Sequence, residues 1–427
     1  MNLKIKEGSE NYCCTVISIG KIFSIPDADR IVKTVINGND VIVGKDTKEG
    51  DTFLYFCAGT QLSADFCFEN NLYDSKENNK DTEVKGYVSF NKRMVRSLKL
   101  KKVVSNGLVI SLSSLGELGK NLKLGDTFTD IGNVSICLKY VPPITVNSSV
   151  SKEKQKAVNK VVEHIIDKQF RFHNNTPHLA QNINSIRDYE IVFITRKYHG
   201  SSGIVSHCLV KKDLKLKEKL LKLFKINIPT EEYGFVWSSG KPKSNTPKGI
   251  LAKSFKWATS NLSFYENDIW KKAYDELKDS VEKGVTIYFE IIGDGIQGPE
   301  YTYGFNYKIL VYRITVTNVD GNVVELGWPE VINYCKKYNL TTVEMFDFGE
   351  WYNLYLKSHP EWENSENRLE ILSKLYLNKS YSDCKIDEGV CIRVASNNNI
   401  FKLKSPNFVL KENKKLEENV EPLIEEE

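Results

Sequence analysis

The chain has 427 residues, 41% of them hydrophobic, and its 59 Lys and Arg against 55 Asp and Glu leave a formal charge of +4. That length predicts two or three domains with substantial cores, and no apolar run approaches the ~20 residues that cross a bilayer. The opening Met-Asn-Leu-Lys-Ile-Lys-Glu-Gly lacks a charged-then-apolar signal pattern, so the expected location is the cytoplasm or nucleus, with no membrane partner.

From Asn11 to about Val141, short β-type runs alternate with turn signals: Cys14–Ile19, Val32–Ile36, Val41–Val43, Thr52–Phe56 and Gly107–Leu112. The Asn37-Gly38 pair between the second and third runs is a strong hairpin signal. Residues 1–145 are therefore expected to form a small antiparallel barrel or sandwich. Within them, Lys92, Arg93, Arg96, Lys99, Lys101 and Lys102 form a basic run with no acid. Such a run suits a polyanionic partner and reads equally as a solvated strand and turn.

Val141-Pro142-Pro143 closes this region, and Val158, Val161, Val162, Ile165 and Ile166 give Ser151–Phe170 the spacing of a connecting helix. Further on, strand-like runs such as Thr286–Glu290 alternate with helix-like stretches such as Ile269–Lys283, which predicts an α+β domain over 146–410. Lys211–Lys225 is lysine-rich and reads as a solvated amphipathic helix or as added nucleic-acid surface. The charged remainder, 411–427, is expected to be an acidic disordered tail.

The nine cysteines form no Cys-x-x-Cys pair, and the six histidines do not join them at zinc-binding spacing. Reduced core cysteines and no structural zinc are expected.

The chemistry centres on Lys197-Tyr198-His199-Gly200, which follows the apolar run Ile191–Ile194. A lysine at the mouth of a buried strand, before a glycine turn, is a candidate covalent nucleophile. Four signals follow it in order. Glu290 ends the run from Val285 before Gly293–Gly298, and Tyr307–Ile314 is an aromatic-containing strand; Glu388-Gly389 precedes Val390–Arg393, and Lys402 and Lys404 share one face of Phe401–Lys404. Singly, the two glutamates also read as edge-strand acids, the two lysines as a solvated face and Tyr312 as a core tyrosine.

In this order the five elements resemble motifs I, III, IIIa, IV and V of the covalent nucleotidyltransferases, the superfamily of DNA ligases, RNA ligases and capping enzymes. The resemblance spans about Tyr189 to Phe408. It implies an α+β chain in which an N-terminal β-barrel (OB-like) domain precedes an α+β nucleotidyltransferase (ATP-grasp-like ligase) domain. It makes Lys197 the nucleophile and places Arg196, His199, Gly200, Glu290, Tyr312, Lys402 and Lys404 at the nucleotide. Glu290 and Glu388 become ligands for Mg²⁺ or Mn²⁺. An amine attacks phosphorus only when unprotonated, so positive charge from Lys402, Lys404 and the metal is expected to lower the pKa of Lys197.

DNA ligases and capping enzymes usually carry an OB domain after motif V, and the stretch from Lys404 to Glu427 is too short for one. Ser24–Ile31 and Val103–Leu108 are similar to the N-terminal module of the Deinococcus-type RNA ligases (type 5 RNA ligase family), which also use a Lys-x-His-Gly motif I. This resemblance implies an ATP-dependent RNA ligase working through a lysyl-AMP and an AMP-capped 5′ end, on RNA or an RNA-containing nicked duplex, as a monomer. The chain departs from the superfamily in three places. His199 replaces the commoner aspartate, Val236–Gly240 and Lys241 stand where an arginine often contacts nucleotide, and Arg313 stands where an acid is frequent. A GTP-dependent capping guanylyltransferase and a non-catalytic RNA-binding protein of the same fold are the alternatives; NAD use is not expected.

Overall fold

A computed structural model of the chain describes residues 2–142, 165–173, 175–239, 269–356, 368–377 and 383–417. Most of the connecting helix expected over 151–170 lies outside these residues. Its described end is not helical: Ile165 makes a single β-bridge to Val210 and the chain then turns.

The first 140 residues are β-rich, as their alternation predicts. The strands Leu108–Ser111, Thr52–Phe56, Cys14–Ser18 and Thr127–Phe128 form a four-stranded antiparallel sheet in that spatial order. It buries Cys14, Val16, Leu54, Phe56 and Phe128 against Phe66 and Cys67. The hairpin Ile31–Ile36/Asn39–Gly44 forms where Asn37-Gly38 predicts it, both turn residues having positive φ. The basic run becomes a second hairpin, Ser97–Leu100/Val103–Asn106, with exposed Lys101 and Lys102 at its tip. The expected barrel is not found closed: the described strands divide among small separate sheets. Strands of two to six residues, interrupted by positive-φ turns at Asp27, Asn71 and Arg93, do not carry one hydrogen-bond ladder around a full circle.

Beyond residue 178 two antiparallel sheets carry the second half of the molecule. The first has the order Met345–Glu350, Ile191–Lys197, Gly389–Val394, Ile400–Lys404. The second has the order Glu231–Ser239, Ser201–Lys211, Val285–Ile292, Lys308–Thr317, Val323–Glu325. In the first sheet Val192, Ile194, Val390, Ile392, Val394, Phe401 and Leu403 share one face and pack against Trp351, Leu354, Leu369 and Leu372 from the helices Trp351–Leu356 and Arg368–Tyr376. In the second, Ile287, Phe289 and Ile291 pack against Trp270 and Ala273 of the helix Ile269–Leu277 and against Trp328 and Val331 of Trp328–Lys337. Burying each such side chain contributes roughly 1.5–3 kcal/mol.

Because strand side chains alternate, the other face of the first sheet carries Thr195, Lys197, Cys391, Arg393, Lys402 and Lys404. Ser202, Tyr288 and Glu290 fall on the corresponding alternate positions of the second sheet. The chain passes from one sheet to the other through Lys197–Ser201, so the lysine turn lies where the sheets meet.

All nine cysteines are free, as expected. The disordered tail is not borne out over 411–417: Pro406–Glu417 is a helix. Ser405 caps it, its hydroxyl accepting from the Phe408 N–H at 3.4 Å, and proline occupies the first helical position, where its missing N–H costs nothing. The remainder of the tail, 418–427, lies outside the described residues.

Gly389 pairs with Lys197 on one side and Lys404 on the other, at a φ of +141°. A Cβ there would run into the Leu403 carbonyl oxygen. Gly389→Ala is therefore expected to destabilise the protein by about 1–3 kcal/mol, read as a lower denaturation midpoint. A midpoint equal to that of the unaltered chain would refute the close approach.

Candidate active site

Lys197 ends its strand with its Nζ 2.5 Å from Glu388 Oε1; the lysine side chain is 24% exposed and the glutamate 2%. Lys404 Nζ lies 3.9 Å from the same oxygen. Glu388 immediately precedes Gly389, the residue opposite Lys197, and its carbonyl accepts from Ser405 N–H at 2.8 Å. Register alone thus brings the lysine, the acid and the second lysine to one end of the sheet.

The expected lowering of the Lys197 pKa is not what this geometry produces. Burial, the largest single influence, and the neighbouring Lys404 act to lower it, but the Glu388 carboxylate, with Cys391 and Glu290 adding to it, tips the balance and the amine is held protonated, above its ordinary value.

Glu290 faces this pair from the second sheet. Its Oε1 accepts from Gly200 N–H at 2.9 Å and its Oε2 from the Ser202 hydroxyl at 2.9 Å. Gly200 is required here, since a Cβ would meet the Ile291 carbonyl and the Glu290 side chain. Gln297 donates to the Gly200 carbonyl at 2.6 Å and closes the turn from its other side. Burial pushes the Glu290 carboxyl up to about 7, against the opposing pull of Lys197 and the Ser202 hydrogen bond.

His199 is buried and its ring lies edge-on to Tyr301, at 4.5 Å, and to Phe408, at 4.9 Å. Its backbone N–H donates to the Tyr303 hydroxyl at 2.9 Å. Burial first, then Lys197, Lys415, Lys404 and Lys411, hold its pKa well below the ordinary value, so the imidazole is neutral. The position therefore supplies no negative charge, and its ring is packed among aromatics rather than set beside the two glutamates.

Arg196 requires a correction. Its side chain alternates to the face opposite Lys197, is 2% exposed, and makes paired hydrogen bonds to Asp383 at 2.8 and 2.9 Å and one to Asp387 at 3.0 Å. Its role here is to fasten the loop that leads into Glu388. Lys402 is buried on the lysine face, and its backbone N–H donates to the Pro177 carbonyl. Tyr312 is half-buried at a bulge opposite Tyr288-Phe289, beside Glu290 and Ser202, with its ring edge-on to His173 at 5.3 Å. Arg313 pairs at 2.6 Å with Glu325 from the neighbouring strand. Gly240 and Lys241 lie outside the described residues.

Among the described residues no three His, Cys, Asp or Glu side chains cluster as a metal cage. The half-buried Glu290 and the buried Glu388 are nevertheless a donor set that suits Mg²⁺ or Mn²⁺, which keeps several waters and takes one or two carboxylates alongside substrate phosphates.

No protein-family model matches the chain, and no curated protein does. Solved structures do match. A Naegleria gruberi RNA ligase mutant with ATP and Mn is 16% identical with a TM-score of 0.58, covering 93% of this chain and 98% of its own. A second mutant with AMP and Mn is 17% identical at a TM-score of 0.57, covering 93% and 98%, and the ligase with PPi is 17% identical at 0.56, covering 94% and 98%. This chain shares the RNA ligase fold. The likeness runs through the β-rich first half as well as through the two sheets.

Sequence reasoning missed Ser202, Gln297, Tyr301, Tyr303, Phe408 and the Asp383/Asp387 pair. Thr195, Cys391 and Arg393 were within reach of it, because counting by twos back from Lys197 and forward from Gly389 puts them on the lysine face. Arg393 is buried there, its Nε donating to Thr195 Oγ1 at 3.1 Å and its guanidinium 4.3 Å from the Trp328 ring centroid.

The raised Glu290 carboxyl predicts a pH dependence. The folded state keeps a proton that the unfolded chain has lost above 4.5, so this contribution to stability is complete below 4.5 and lost as pH rises through about 7. Thermal midpoints without nucleotide should fall across that window, and Glu290→Gln, which keeps an acceptor for Gly200, should flatten the fall. An identical slope in the variant would remove Glu290 as its source.

Proposed function

We propose that this protein is an ATP-dependent RNA ligase of the Deinococcus type that joins 3′-hydroxyl and 5′-phosphate ends through a lysyl-AMP. The observation that carries the reading is the Lys197–Glu388–Lys404 cluster at the junction of the two sheets, with Glu290 opposite. It supplies a nucleophile, cations for phosphate oxygens and two carboxylates, on the fold of a ligase whose structures hold ATP, AMP or PPi.

In the resting protein Glu388 stores Lys197 as an ammonium ion, which protects the nucleophile from adventitious reaction. Glu388 and Glu290 would hold a divalent cation, which would supply neutralising charge for the triphosphate. When the Glu388 carboxylate is drawn away from the amine, burial and Lys404 remain, both lower its pKa, and the ammonium releases a proton to solvent. The neutral amine then attacks the α-phosphorus. An N–P bond forms, the bond to pyrophosphate breaks, and the amine sheds its proton to solvent. Lys402 and Lys404 offset charge on the phosphates. A 5′-phosphate oxygen next displaces the lysine from AMP, and the 3′-hydroxyl displaces AMP to leave a phosphodiester.

Tyr312, half-buried on the wall of the site, is assigned to the base, and the Gly200 turn held by Glu290 and Gln297 fixes the approach of the nucleotide. The exposed hairpin lysines Lys99, Lys101 and Lys102 are assigned to the nucleic-acid backbone. Asp383, Asp387 and Arg196 hold the Glu388 loop in place. The reading places an intracellular, monomeric enzyme on nicked RNA-containing duplexes; no described helix is long and apolar enough to cross a membrane.

Incubation with labelled ATP and a divalent cation should place AMP on Lys197, and labelled GTP should not. Lys197→Ala should abolish both labelling and joining, a loss of at least about 1000-fold given that covalent chemistry depends on one amine. Joining by the alanine variant would end the assignment, and labelling by GTP alone would favour the capping guanylyltransferase. Replacing Lys99, Lys101 and Lys102 together by alanine should weaken RNA binding and flatten the salt dependence of log K by about 0.7 per lost phosphate contact. An unchanged salt slope would take the hairpin out of the interface.

A further inference from the structure

The helix Pro406–Glu417 begins two residues after Lys404 and touches both halves of the molecule. On the active-site side its Phe408 is wholly buried, with the His199 ring 4.9 Å away, and Lys404 Nζ lies 5.3 Å from its ring centroid. One turn on, Glu412 Oε1 accepts from the Tyr301 hydroxyl at 3.3 Å, and Lys411 pairs with Glu300. On the other side, Asn413 Oδ1 accepts from Ser97 N–H at 3.2 Å, and the Leu416 carbonyl accepts from Lys92 Nζ at 2.6 Å.

Ser97 opens the basic hairpin, paired with Asn106 across its base. A continuous path of packed and hydrogen-bonded groups therefore runs from the exposed Lys101-Lys102 tip to Ser97, to Asn413, along the helix to Phe408, and into the His199 ring and Lys404. Both anchors are buried, Asn413 at 6% and Phe408 at 0% exposure, so the helix cannot tilt at one end without disturbing the other.

We propose that this helix is a strut that sets the Lys197–Gly200 turn and Lys404 when RNA seats on the basic hairpin, with Asn413 and Phe408 as positioning residues for strand joining. The inference rests on the ligase reading above. Loading the lysine with AMP needs only nucleotide between the two sheets. Joining needs an RNA end on the first half of the molecule placed against chemistry on the second, and a misplacement of about 1 Å costs on the order of 100-fold in rate. His199, where a charged aspartate is commoner, is the contact through which the turn feels the helix.

The test separates the steps. Asn413→Leu removes the acceptor for Ser97 N–H while touching neither sheet. Three quantities are measured: AMP labelling of Lys197, RNA affinity, and joining of a nick already carrying AMP on its 5′ end, at saturating RNA. The strut predicts labelling and affinity within about two-fold of the unaltered protein and joining reduced at least about 10-fold, with recovery in Asn413→Asp, whose oxygen still accepts from Ser97. If Asn413→Leu does not fold, Lys92→Met breaks the Leu416 contact from the other side and is read the same way. Unchanged joining overturns the strut. So does a parallel loss of labelling, which marks a merely local role, and so does a deficit abolished by saturating RNA, which marks a binding contact. Absence of labelling in the unaltered protein would instead overturn the ligase reading.

Discussion

The ion pair between Lys197 and Glu388 is the constraint around which the second half of this molecule is arranged. Taking a carboxylate almost wholly out of water is costly unless partners surround it, and breaking a buried pair by removing one partner costs several kcal/mol. Two lysines from two strands meet Glu388, and they can do so only because the strands are in register at Gly389, where no side chain intervenes. A pair of this kind contributes little net stability compared with apolar packing. It sits at the end of a sheet whose other face is filled by Val192, Ile194 and Ile392, so its place in the fold is accounted for by the ligase reading rather than by stability.

The surrounding groups make sense as supports for that pair. Arg196 projects to the opposite face and fastens Asp383 and Asp387, so the loop delivering Glu388 is held from behind while its carboxylate stays available in front. Glu290 performs the matching task on the second sheet, tying the Gly200 turn to Ser202. Under the ligase reading, the resting state is a protonated nucleophile held by an acid for which a cation and phosphates would compete.

Much of this was legible in the sequence because strands have a period of two. The runs around Val192, Ile287, Val390 and Phe401 announced strands of both sheets, and Lys197, Glu388 and Lys404 meet at one end of the first, with Glu290 facing them. Arg196 was misplaced for want of the same rule, since a residue adjacent to Lys197 in a strand must face away from it. The helix at Pro406 had its Ser-Pro start in plain view, obscured by the charge that follows. The sign of the Lys197 shift was not legible. It depends on whether one acid or several cations stand nearest the amine, and only the strand register decides that. Barrel closure in the first half is likewise a property of pairings distant in sequence, to which local alternation is blind.

His199 bears most directly on how the site works without an aspartate in the lysine turn. A buried aspartate there would stand among Lys197, Lys404, Lys411 and Lys415 as a second negative charge competing with Glu388 for the amine. A neutral imidazole leaves Glu388 as the principal acid acting on Lys197, with Glu290 a lesser one. Under the ligase reading, control of the amine's proton is thereby concentrated in a single carboxylate. The neutral ring instead packs edge-on against Tyr301 and Phe408, and such packing fixes position where a charge alone does not. Under the ligase reading, position 199 therefore contributes packing where an aspartate would contribute charge.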